Sequence, residues 1–112
     1  QQKCIFGEND AKIKVLFVMN SPRNEVNKPL FSQIIRSATS IGANYMEANQ
    51  ASSKKDFKNK IHICTKESNE TKHWLRMIAK ANSNKTDLCK KLWKEAHELT
   101  LIFAKISKTC KE

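Results

Sequence analysis

Between Leu30 and Gln50 the chain places Leu30, Ile34, Ala38, Ile41, Tyr45 and Ala48 at spacings of four and three. That period predicts a helix over 30–50, about 30 Å long. Arg36 and Glu47 are its only charged side chains. A surface helix normally shows water a charged face opposite its apolar one. Here the remaining positions are small or neutral, among them Ser37, Ser40, Ala43, Asn44 and Met46. The helix is therefore expected to be covered on a second side, by another copy of the chain. Gly42, in its middle, costs about 1 kcal/mol relative to alanine and suits a place where another helix comes close.

Downstream, Phe57, Ile61, Cys64, Ser68, Thr71, Leu75 and Ile78 alternate the same two spacings without a slip. This is the heptad of a left-handed bundle, with a polar middle at Ser68 and Thr71. It predicts a helix over 54–81, with Ser53 as N-cap and Asp56 in the first turn. Asn82 to Lys85 reads as a short turn suited to an antiparallel hairpin. A last helix is expected over 86–110, opened by Thr86 as N-cap, with a seam of Leu88, Leu92, Glu95 or Ala96, Leu99, Phe103, Ile106 and Cys110. Trp93, Leu101 and Ile102 exceed what one seam uses, which again points to a subunit contact. Upstream, Ile13, Leu16 and Phe17 predict a helix over about 9–20, ended by Pro22. The stretch from Ser21 to Pro29 reads as a loop.

The 112 residues, with two glycines and two prolines, suit one all-α domain spanning 1–112, an antiparallel up-down four-helix bundle. No run reaches the twenty or so apolar residues of a membrane helix, and no leader-like segment is visible. Cys4, Cys64, Cys89 and Cys110 lack zinc-knuckle spacing. They read as reduced thiols of a cytoplasmic protein.

Charge changes the picture most. The formal net charge is +10, which points to a polyanionic partner, nucleic acid before others. The basic residues are nearly all lysine, with Arg23, Arg36 and Arg76 the exceptions. Lysine acts on phosphate as a point charge, not as a forked reader of bases. The candidate contacts are Lys54, Lys58, Lys72 and Arg76 on one helix and Lys90 and Lys94 on the next. No aromatic residue is visible between them, so stacking on single strands is not expected.

Catalytic arrangements are sparse. Glu70-Thr-Lys-His73 has the Glu-x-x-His spacing of di-iron bundles, but its would-be counterpart, Glu95-Ala-His97, is one residue too tight. Neither a metal nor another cofactor is expected, nor an enzyme. Arg36, Ser40, Asn44 and Glu47 fall along one side of their helix. With Glu67 and Glu70 opposite, they read as a polar network fixing helix register or a subunit contact.

The run Arg36-Ser-Ala-Thr-Ser-Ile-Gly-Ala-Asn44-Tyr-x-Glu47-Ala, followed by Ser53-Lys-Lys-Asp-Phe57 and Lys60-Ile61, resembles the bacterial four-helix-bundle family encoded in intervening sequences of 23S rRNA genes. The accessory variability determinant of diversity-generating retroelements is related to that family. The similarity is strongest over 35–61 and continues weakly through Lys66-Glu67 and Trp74-Leu75. It implies a homopentamer with a basic surface and a nucleic-acid partner. Residues and resemblance together lead to a non-catalytic, nucleic-acid-binding homo-oligomer. The competing reading is a scaffold that docks an acidic protein such as a polymerase.

Overall fold

The computed structural model describes residues 24–110; the helix expected over 9–20 lies outside the described residues. Three α-helices and no strand are found among the described residues: α1 Asn27–Asn49, α2 Lys54–Ala81 and α3 Thr86–Thr109. A single 3₁₀ turn, Ser83–Lys85, leads into α3.

α1 begins three residues before its expected start. The Asn24 side-chain oxygen accepts from the backbone N–H groups of Val26 at 3.0 Å and Asn27 at 2.8 Å. Asn24 thus satisfies donors that have no partner within the helix. Pro29 then falls in the first turn, where its missing N–H costs nothing. Ending the loop at Pro29, as turn composition suggests, places the boundary too late. At α2 the expected cap is present, with Ser53 Oγ accepting from the Asp56 N–H at 3.0 Å. At α3 the start is as expected but Thr86 does not cap: its hydroxyl donates back to the Ser83 carbonyl at 2.8 Å.

α2 packs against both other helices, and both pairings are antiparallel. Along α1 and α2 the meeting pairs run from Asn27–Asn82 through Arg36–Glu67 to Glu47–Lys60. Along α2 and α3 they run from Lys72–His97 to His62–Ser107. The apolar seams form two separate clusters. One joins Phe31 and Ile34 to Leu75, Ile78, Cys89 and Leu92. The other joins Ile41, Tyr45 and Ala48 to Ile61, Cys64 and Phe103. Between them lies the polar middle anticipated at Ser68 and Thr71, together with Ser37, all three buried. Ser37 Oγ and Thr71 Oγ1 are 2.9 Å apart, so the buried hydroxyls are paired.

A buried pair that the sequence pattern does not single out closes one end. Asn27 Nδ2 donates to Asn82 Oδ1 at 2.9 Å, and Asn82 Nδ2 donates back to Asn27 Oδ1 at 2.7 Å. By composition both residues belong to loops or turns. The pair ties the start of α1 to the end of α2.

The far side of α1 is not covered by the other described helices. Ile35 is 46% exposed and Met46 63%. A Cβ added to Gly42 would meet nothing within 4 Å. The close helix approach expected at Gly42 is therefore not made by any described helix of the same chain. On α3, Leu101 and Ile102 are likewise exposed, and the neighbouring Phe103 is fully buried.

Phe103→Ala should lower the free energy of unfolding by about 3–5 kcal/mol in urea titrations, since the site loses its ring and keeps a cavity. Burial pushes the Cys64 and Cys89 thiols up to about 11 from an ordinary 9.0. An unfolded thiol ionises first as pH rises, so these two groups withdraw stability between pH 9.0 and about 11 and have no effect at neutral pH. Alkylation at pH 8, mapped by peptide mass spectrometry, should modify the half-exposed Cys110 and spare Cys64 and Cys89 until the protein unfolds.

Candidate nucleic-acid interface

The polar stripe expected on α1 does not act as one network. Arg36 reaches α2, where its guanidinium donates to both Glu67 oxygens at 3.2 and 3.4 Å and to Glu70. The Glu67 side chain is only 11% exposed and Arg36 is 46% exposed, so the cation closes over a carboxylate that the bundle has largely removed from water. Ser40 and Asn44 do not meet Glu67 or Glu70. Asn44 Nδ2 instead donates to the Ser40 carbonyl and hydroxyl at 2.9 and 3.0 Å, a bond within α1. Glu47 pairs with Lys60 at 2.8 Å, a partner not expected from spacing. That contact holds the Lys60 ammonium above its ordinary value, chiefly through the hydrogen bond to Glu47. The six residues thus divide into two cross-helix ion clusters and one local bond.

Glu70 is engaged by Arg36, and His73 lies edge-on to Trp74 with ring centroids 4.8 Å apart. The Glu70–His73 pair is occupied by packing and charge. Among the described residues no group of three His, Cys, Asp or Glu side chains is placed to hold a metal ion.

The basic candidates are all at or near the surface. Lys54, Arg76, Lys90 and Lys94 are exposed, and Lys58 and Lys72 are half-buried. None of the six is in an ion pair with a carboxylate among the described residues; the pairs present use Arg36 and Lys60. Helical spacing keeps Lys54, Lys58, Lys72 and Arg76 on one stripe of α2. On α3, Lys90 and Lys94 flank Trp93, with His97 one turn beyond.

Helix pairing brings aromatics into this face, against the expectation from sequence. Lys72 Nζ lies 5.2 Å and Arg76 Cζ 5.4 Å from the centroid of the Trp93 ring. His97 stacks on Trp93 with 12° between the planes and 5.1 Å between centroids. Lys72 Nζ is 3.2 Å from His97 Nδ1. Along α3 alone, Trp93 has the appearance of surplus core; its cationic neighbours are on α2, so only the antiparallel register reveals them. Lys72 and Arg76 are candidates from the sequence already; for the aromatic half of the site the sequence carries only the i, i+4 spacing of Trp93 and His97.

The sequence profile of the 23S rRNA-intervening sequence protein family matches residues 10–105. Among solved structures, the chain is similar to a protein of unknown function from the S23 ribosomal protein family of Bacteroides thetaiotaomicron. The two share 32% identity over 90% of each chain, with a TM-score of 0.76. None of the curated proteins matches the chain. No described helix is long and apolar enough to cross a membrane.

Arg36→Ala should destabilise the fold by about 1–2 kcal/mol in chemical denaturation. That is the range for hydrogen bonds to a charged group, discounted for the exposure of the arginine. Lys60→Ala, which removes a more exposed pair, should cost less in the same assay.

Proposed function

The chain belongs to the family of 23S rRNA-intervening sequence proteins, and on that footing we propose that it is a non-catalytic, basic accessory protein that binds nucleic acid as a homo-oligomer. The observation that carries this reading is the pair of stripes on α2 and α3. There six cations stand without carboxylate partners among the described residues, in a chain of net charge +10. Cations kept apart from acids retain their attraction for phosphate, and release of counterions drives the contact. Lys54, Lys58, Lys72, Arg76, Lys90 and Lys94 are the contacting residues of this proposal. It includes a four-helix bundle as the full fold, a pentamer as the assembly, a cytoplasmic setting and kinship with the retroelement accessory proteins.

The open side of α1 supports the assembly part. Ile35, Thr39, Ala43 and Met46 are exposed, are uncharged and recur at helical spacing, and Leu101 and Ile102 add apolar surface on α3. A ring of copies covering such faces would set several basic stripes side by side and raise avidity without new contacts. Gly42 then becomes the place where a neighbouring subunit approaches.

Gel shifts with RNA, duplex DNA and single strands at two salt concentrations test the binding. Complexes should weaken steeply as salt rises. Lys94→Ala removes one phosphate partner, so it should reduce the slope of log K against log salt by about 0.7–0.9. Absence of any shift at low salt would overturn the nucleic-acid reading and favour the protein-docking scaffold. Light scattering should return a multiple of the 12.9 kDa chain mass, and Met46→Glu should drive the particle toward that mass. A wild-type particle of single-chain mass at micromolar concentration would remove the assembly.

A further inference from the structure

The nucleic-acid reading above treats the basic face as charge alone; on top of it, we propose that the Trp93–His97 pair, with Lys72 and Arg76 beside it, is a stacking site for unpaired nucleotides, so that this face prefers single strands to duplex. Like charge is unusually concentrated there. Two cations lie within 5.4 Å of one ring centroid, and neither has a carboxylate partner among the described residues. The π-face of tryptophan offsets part of their repulsion, and an arriving phosphate would relieve the rest. That identifies the ligand as anionic.

The aromatic groups narrow it further. An acidic peptide or a bare polyphosphate would use Lys72 and Arg76 and leave the parallel His97–Trp93 pair idle. A nucleotide uses both, because every base has a π-face and stacks on aromatic side chains or guanidinium planes. Duplexes hide those faces inside the helix, so they meet only the lysines. The hydrogen bond at His97 adds a donor. An ammonium has no lone pair, so Lys72 donates and Nδ1 of His97 accepts. In that tautomer the proton sits on Nε2, available to a base edge. Lys90 and Lys94, either side of Trp93 in sequence, extend the phosphate contacts along the strand.

The test uses a Trp74→Phe background, which leaves Trp93 as the single tryptophan. Its emission is titrated with an unstructured oligonucleotide, as RNA and as DNA, with the matching duplex, and with inorganic polyphosphate. The expected result is quenching of Trp93 by single strands, with affinity about fivefold or more above that for duplex, as stacking of one base implies. Read by titration calorimetry, since the Trp93 variant has lost its reporter, His97→Ala and Trp93→Leu should each lower single-strand affinity by about fivefold or more and leave polyphosphate binding within about twofold. His97 is half-buried on the surface of α3, so it serves should the tryptophan variant fail to fold. Equal affinities for all three polyanions with unquenched Trp93 would overturn the stacking site while leaving charge-driven binding standing. No binding of any oligonucleotide would remove both.

Discussion

The structure depends on the buried seam of α2. That helix contributes residues to both apolar clusters and to the polar layer between them, and it pairs with α1 on one side and α3 on the other. An apolar seam alone is tolerant of sliding, because aliphatic contacts have no preferred direction. Ser37 and Thr71 restrict that freedom: each hydroxyl keeps a carbonyl of its own helix, Ile34 and Glu67, but their 2.9 Å contact across the helices exists in one register only. Arg36 with Glu67 and Glu70, one step outward, and the reciprocal amides of Asn27 and Asn82, at the end, act in the same direction. Register in this bundle is set by polar atoms, while cohesion is supplied by apolar ones.

The pairing of α2 with α3 decides the chemistry of the surface. Trp93 and His97 lie on α3, and Lys72 and Arg76 lie on α2; they become one cluster only in the antiparallel alignment that also places His62 beside Ser107. A slip of one heptad would scatter them. The polar layer inside fixes α1 against α2, and the cationic cluster outside reports the separate pairing of α2 with α3. Where α2 meets α1, Arg36 engages Glu67 and Glu70 and Lys60 engages Glu47. The stripe facing α3 is left positive.

Helix periodicity makes most of the fold legible. The seams of α2 and α3 are the ones the spacing marks, and Ser53 caps α2 as its position suggests. What periodicity misses depends on side chains meeting across helices. Asn27 and Asn82 read as turn residues because asparagine favours turns, and nothing local reveals that the two amides face one another. Ser40 and Asn44 have the spacing of a cross-helix stripe, yet an i, i+4 amide and hydroxyl satisfy each other first. Lys60 and the Trp93 cluster are invisible for the reason that Asn27 is: their partners are remote in sequence.

Among the described residues there is no cis peptide bond, and no residue, glycine included, has a positive φ. Every turn between these helices is made with backbone shapes open to any ordinary side chain. The scaffold therefore imposes few irreplaceable positions. Substitutions that respect size and polarity along the seams can accumulate without breaking the bundle, so lineages sharing this architecture can drift far apart in outer residues. Evolution is then free to change the charges and contours that the exterior presents while the interior stays the same.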